Sequence, residues 1–210
     1  MPKTAFETHL RAAQRGDEEA FAALWQANHP PLLRYLRVLA GEVAEDVASE
    51  TWLQVVGGLR RFRGDEAGFR AWIFTIARNK LTDWRRYENR RPVYAIDDVE
   101  TARAGSAGTA GAAGTADPRT VDDEALERIS THRALRLIAV LPQDQAEIVL
   151  LRVVAGLDVA AVADIVGKRP GAVRVTCHRA LRRLHDLVTA APNAAGAAAD
   201  QSLPRSGVTR

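Results

Sequence analysis

GLDVAAVADIVGKRPGAVRVTCHRALRRLHDL, residues 156–187, carries the punctuation from which the fold can be read. Asp158 can cap a short helix over Val159–Val166, Gly167 turns the chain, and Pro170 is suited to the first position of a longer helix. Just upstream, Pro142 opens a helix predicted from Gln143 to Val154, and Gly156 ends it. Helix, turn, short helix, turn, longer helix is the length pattern of a helix-turn-helix. On a helical wheel Val173, Cys177, Ala180, Leu181, Leu184 and Val188 share one face, which is the predicted core side. Gly171, Val175, His178, Arg179 and Arg182 lie opposite, with Arg174 on their flank. From Lys168 to His185 the charged residues are Lys168, Arg169, Arg174, Arg179, Arg182 and Arg183, with no carboxylate among them. A merely solvated helix mixes both signs; this one is expected to face a polyanion. Arg174 and Arg179 sit where guanidinium groups reach guanine O6 and N7, and Val175 can meet a thymine methyl. Lys168, Arg169, Thr176, His178 and Arg182 suit positioning contacts, mostly to phosphate.

Working outward, a helix with Leu126, Ile129, Ala134, Leu137 and Ile138 is expected to precede Leu141-Pro142. Beyond Ala190, the tail from residue 191 to 210 reads as disordered. Upstream of the C-terminal block, residues 104–115 (AGSAGTAGAAGT) hold no apolar side chain larger than Ala, so they read as a linker with acidic flanks. The predicted organisation is therefore a helical domain over 1–92, a linker over 93–124, a second helical domain over 125–190, and a tail. The 210-residue chain is 47% hydrophobic but only 6% aromatic, and its many Ala, Leu and Arg residues favour helix over sheet. We expect an all-α fold of two small domains, an N-terminal helical bundle and a C-terminal helix-turn-helix, joined by a flexible linker.

The N-terminal block is segregated by charge. Asp17 is a plausible cap for a helix with Phe21, Leu24 and Trp25, and Pro30-Pro31 should break or kink it before Gly41 ends it. Val38 to Leu59 then holds Glu42, Glu45, Asp46 and Glu50 and no Lys or Arg. Arg60 to Arg91 holds ten basic residues, from Arg60 and Arg61 through Arg78, Lys80, Arg85 and Arg86 to Arg90 and Arg91, against Asp65, Glu66, Asp83 and Glu88. An acidic helix that repels DNA next to a basic one that attracts it implies two partners on two faces, a basic protein surface and a nucleic acid. The basic helix, expected from near Phe69 to about Tyr87, should bury Phe69, Trp72 and Trp84. It should present Thr75, Arg78, Asn79, Thr82, Arg85 and Arg86 on the other side. The preceding Phe62-Arg63-Gly64-Asp65 loop allows the close backbone approach that readers of single strands require.

These residues resemble a family. Ala44-Glu45-Asp46-Val47-Ala48-Ser49-Glu50-Thr51-Trp52-Leu53-Gln54 is similar to the polymerase-binding helix of extracytoplasmic-function sigma factors. Phe62-Arg63-Gly64-Asp65 followed by Phe69 to Asn79 is similar to their −10-binding loop and helix. Leu141-Pro142, Gly156-Leu157, Ala163 to Gly167 and Gly171-Ala172-Val173-Arg174 resemble their −35-binding domain. The resemblance implies that Asp46, Glu50, Thr51 and Leu53 face the β′ clamp of core RNA polymerase, with the β flap as a second polymerase contact. It implies that Asn79 and the 62–68 loop hold flipped −10 bases, that Arg174 and Arg179 read the −35 element, and that an anti-sigma partner exists. Ser49 stands where the family usually has Gln, and Val175-Thr176 where Ser-Arg is common.

The linker then acquires a mechanical role. About 30 residues extend to roughly 100 Å, more than the roughly 70 Å of two duplex turns between promoter elements. A stand-alone helix-turn-helix regulator explains the C-terminal block but leaves the acidic helix and linker idle. An enzyme is disfavoured, because the histidines are scattered and no nucleophile elbow, phosphate loop or metal cluster is visible. The single Cys177 excludes an internal disulfide. No cofactor, metal, signal peptide or membrane span is expected, and the cytoplasm is the expected compartment.

Overall fold

The computed structural model describes residues 3–90 and 130–197. The linker centre, the start of the helix before Leu141 and residues 198–210 lie outside the described residues. Among the described residues every regular element is helical. The N-terminal bundle consists of α1 (Lys3–Gln14), α2 (Glu18–Ala40), a 3-10 turn (Gly41–Val43), α3 (Ala44–Leu59) and α4 (Glu66–Arg90). The C-terminal part has α5 (residues 130–139), α6 (Gln143–Val149) running on as a π-helical turn (Leu150–Val154), α7 (Val159–Val166) and α8 (Pro170–Ala197).

Local chemistry sets the boundaries. The Ala20 amide donates to the Asp17 carboxylate at 2.8 Å, and the Ala161 amide donates to Asp158 at 2.7 Å, so each Asp satisfies an orphan donor of its helix. Gly167 takes φ 67°, the left-handed geometry that ends α7. Asp65 begins α4 three residues earlier than the aromatic pattern suggests, by accepting the Gly68 amide at 2.9 Å.

Three expectations are corrected. Pro30 and Pro31 do not break α2, which runs through both. Leu24 before the prolines and Leu32, Tyr35 and Leu36 after them are all buried, so packing on both sides offsets the hydrogen bonds that the prolines remove. The last helix does not stop near Ala190 but continues to Ala197, seven residues into the stretch read as a disordered tail; alanine at 190, 191, 194, 195 and 197 carries helix propensity past Pro192. Finally, Leu181 and Val188 are exposed although the wheel put them on the core face. Val173 and Ala180 are fully buried and Cys177 and Leu184 half-buried, so the stretch carrying Leu181 and Val188 reaches beyond the small core.

Phe6, Leu24, Leu36, Phe69, Ile73 and Phe74 fill the centre of the bundle. The same hydrophobic cluster continues into Leu150, Leu151, Val162 and Val166 of the C-terminal part. The two parts are therefore docked, α6 and its π turn lying on α2 and α7 lying on α4.

Candidate nucleic-acid and protein interfaces

The acidic helix α3 shows three of its four candidate contacts to solvent. Asp46 and Glu50 are one turn apart and exposed, and Leu53 is 74% exposed and lines the same cleft as the two carboxylates. They form one wall of a cleft with Val43 and Val47, closed on the other side by Lys80, Asp83, Trp84 and Tyr87 of α4. Lys80 Nζ lies 3.2 Å from Glu50 Oε2 and fixes the carboxylate at the rim. Thr51 is a correction. It is fully buried, and its hydroxyl donates to the Val47 carbonyl at 2.7 Å, so it cannot face a protein partner. Spacing gives the reason: Val47, Thr51 and Val55 follow one another every four residues on the inner face. The α4 wall was missed, although Lys80, Trp84 and Tyr87 are spaced to share one face.

The 62–68 loop is held from several sides. Gln14 Nε2 donates to the carbonyls of Leu59 at 3.0 Å and Phe62 at 2.9 Å, bridging α1 to the end of α3. Phe62 is stacked on Trp72 at 5.1 Å and meets Phe69 edge-on at 5.2 Å, so its ring shapes the loop instead of standing open to a base. A Cβ on Gly64 would come 3.0 Å from that ring, and one on Gly58 would come 2.7 Å from Trp72; both positions need glycine for closeness. Arg63 is exposed, its Nη1 donating to the carbonyls of Arg60 and Phe62. Asp65 serves as the cap of α4.

Along α4 the candidate contacts divide. Asn79 and Arg86 are exposed, and Arg86 makes a loose 3.6 Å pair with Asp83. Thr82 is half-buried, with its hydroxyl returned to the Arg78 carbonyl at 2.8 Å. Arg85 is half-buried and donates to the Leu39 carbonyl at 2.6 Å. Arg78 Nε is 2.9 Å from Glu147 of α6, and the buried Tyr35 hydroxyl donates to the same carboxylate oxygen at 3.2 Å. Burial, and then the Glu147 charge, push the Tyr35 pKa well above the usual phenol value, so the hydroxyl stays a donor.

The helix-turn-helix presents an open surface. Arg169, Gly171, Arg174, Val175, His178, Arg179 and Arg182 are all exposed, and Thr176 is half-buried. Among the described residues Arg169, Arg174, Arg179 and Arg182 form no ion pair, while Lys168 is paired with Asp144 of α6 at 2.5 Å. This row of exposed guanidinium groups runs from just before α8 through its first four turns and is uncompensated by carboxylates. Among the described residues, no helix is long and apolar enough to cross a membrane.

Comparison with known proteins places this geometry among relatives. The family profile of sigma-70 region 2 matches residues 24–91, and that of sigma-70 region 4 matches residues 131–184. The chain is 34% identical to the ECF RNA polymerase sigma factor SigD of Mycobacterium bovis, over 85% of this chain and 82% of that protein. It is 33% identical to the ECF RNA polymerase sigma factor ShbA of Streptomyces griseus, over 85% of this chain and 92% of that one. In fold it is similar to the sigma factor RpoE of Bartonella quintana, solved in complex with the anti-sigma factor NepR. That likeness has a TM-score of 0.57 at 21% identity and covers 80% of this chain and 96% of the other.

Proposed function

Because this chain belongs to the sigma-70 family and is an RNA polymerase sigma factor of the extracytoplasmic-function group, we propose a division of its promoter work among three surfaces. The α3–α4 cleft, with Asp46, Glu50 and Leu53, docks on the β′ clamp of the core enzyme. The 62–68 loop and the α4 residues Arg78, Asn79, Thr82, Arg85 and Arg86 engage the −10 element. The α8 face, led by Arg174 and Arg179, reads the −35 element. The observation that carries the assignment is the separation of charge. The polymerase-facing cleft is acidic and rimmed by an exposed leucine, and the two DNA-facing helices are basic.

The mechanism is recognition without covalent chemistry. Arginine pairs with phosphate neutralise backbone charge and release counterions, which sets the footing on DNA. Bidentate arginine contacts and the Val175 methyls then distinguish bases in the −35 groove. The Gln14-braced loop offers a fixed rim against which an extruded −10 base can rest, so less ordering is required when the strand is captured. The factor acts with polymerase in the cytoplasm, is no enzyme and uses no cofactor. An anti-sigma protein is its negative regulator, a reading supported by the complex in which the Bartonella quintana relative was solved.

Run-off transcription with bacterial core polymerase on genomic fragments tests the proposal. Discrete transcripts should require the protein and disappear with Asp46→Lys/Glu50→Lys. Full activity of that double variant would remove the cleft from the polymerase interface.

A further inference from the structure

The start of the 62–68 loop is shaped by a helix that lies outside the matched family regions. The sigma-70 region 2 profile covers residues 24–91, so α1 and the first turn of α2 precede it. Yet Gln14, the last residue of α1, directs its Nε2 group at the loop, donating to the Leu59 carbonyl at 3.0 Å and to the Phe62 carbonyl at 2.9 Å. Two carbonyls facing one side-chain amide fix its orientation, with nitrogen toward the loop and both of its hydrogens in use. Each carbonyl has one further donor, the Phe62 N–H at 3.1 Å for Leu59 and Arg63 Nη1 at 2.8 Å for Phe62. Both oxygens are thereby used to capacity. Arg63 Nη1 also reaches the Arg60 carbonyl at 2.9 Å, so Gln14 and Arg63 together tie the turn that enters the loop. α1 is itself anchored at both ends. Phe6 lies 5.6 Å from Phe69, whose ring in turn meets Phe62. At the other end Gly16, at φ 99°, closes a turn in which the Gly16 and Asp17 amides donate back to the Ala13 and Ala12 carbonyls.

Resting on the −10 assignment of this loop made above, we infer that Gln14 is a positioning residue for base discrimination, and that α1 is the element through which the loop keeps its base-reading shape. The Gln14 amide is occupied by the loop's own backbone, so it acts on DNA only through the loop. A wrong base is rejected where the groups that meet it cannot shift to accommodate it. Phosphate contacts tolerate such shifts, because they position the strand without reading it. Loosening the loop therefore lowers discrimination at the base it holds and leaves the general hold on the strand nearly intact. Asp46, Glu50 and Leu53 lie earlier on α3, whereas Gln14 holds its last residue, Leu59, so docking on core polymerase is a separate readout.

The test uses the full-length chain assembled with bacterial core polymerase. Its probe is a fluorescein-labelled single strand carrying the −10 element of a promoter mapped by run-off transcription, with each base of the element exchanged in turn. Gln14→Met keeps the side chain's length and removes both donors. It should lower discrimination at one position about tenfold, the order of one net hydrogen bond, while the other positions, the affinity for core polymerase and the urea midpoint of the free chain stay near wild type. Gln14→Glu turns two acceptors on the same carbonyls and should flatten that position at least as far, which provides a second measure should Gln14→Met misfold. Arg63→Ala tests the loop independently of α1. Wild-type discrimination in both Gln14 variants, beside a flattened position in Arg63→Ala, would overturn the role of Gln14 and leave the loop's −10 assignment standing. Unchanged discrimination in all three would overturn the −10 assignment of the loop, and the role of Gln14 with it. A loss spread evenly over every position, in step with a lower urea midpoint, would reduce Gln14 to packing.

Discussion

α4 and α8 are both arginine-rich helices with an apolar side, and in the sequence they look like two copies of one device. In the folded chain they stand in different surroundings. On α4, Arg78 is held by Glu147, Arg85 by the Leu39 carbonyl and Lys80 by Glu50, so much of the cationic face is already engaged. On α8, Arg174, Arg179 and Arg182 project into solvent with no ion pair among the described residues. Helix composition therefore establishes what a face can bind, and the neighbours brought in by tertiary structure establish when it is free to do so. The contrast also separates structural from functional content. α4 is the spine of the bundle, with Phe69, Ile73, Phe74 and Ala77 all at 0% exposure, whereas α8 meets its small core chiefly through Val173 and Ala180.

That contrast can be broken most forcefully at Phe74, whose ring meets Tyr35 edge-on at 5.3 Å behind the Arg78–Glu147 pair. Phe74→Ala should cost about 3–5 kcal/mol, the range for a fully buried aromatic, measured by urea unfolding. Leu181→Ala on the exposed side of α8 should stay within about 0.5 kcal/mol. Equal losses in the two variants would mean that α8 is as deeply integrated as α4.

The open face gives the next effect. Arg174→Ala should cost about 1–3 kcal/mol at one base position of the −35 element and relax preference there. Arg182→Ala should weaken all sequences alike and lower the salt slope by about one. A uniform loss for Arg174→Ala would reassign it to phosphate. Both measurements belong on duplex DNA with the holoenzyme.

Much of the fold was legible because its signals are local. Asp17, Asp158 and Gly167 mark helix ends through bonds that span only a few residues, Pro170 marks one through its fixed φ, and all four do so in the structure. The surface row of α8 was legible for a related reason, since a charge repeated without opposite sign needs no knowledge of its neighbours. What escaped depends on distant partners. Glu147 and Arg78 are 69 positions apart, and Gln14 and Phe62 are 48 apart, so neither link leaves a periodic trace. Thr51 was misassigned because the match of its whole segment to a binding helix outweighed its position between Val47 and Val55. The continuity of α2 through Pro30-Pro31 likewise depends on burial, which local propensity does not contain.

The smallest effect lies away from both DNA faces and serves as their control. His29 is stacked on Trp25 at 4.3 Å, and its Nδ1 accepts the Trp52 indole N–H at 3.2 Å, a bond that requires an unprotonated nitrogen. Burial lowers the His29 pKa; Glu45 pulls it back up and Arg37 pushes it further down, those two being themselves paired at 2.8 Å. In mildly acidic solution the unfolded chain takes up a proton that the folded chain resists. The stability contributed by neutral His29 is therefore present above the ordinary histidine pKa and declines as pH falls below it. Urea midpoints at about pH 7.5 and pH 5.5 should fall further for wild type than for His29→Gln, which removes the titration while the other histidines remain. DNA binding by α8 should follow a pH course common to both proteins. If the two midpoints fell in parallel, the acid sensitivity would lie with another group, and the Trp25–His29–Trp52 stack would be packing alone.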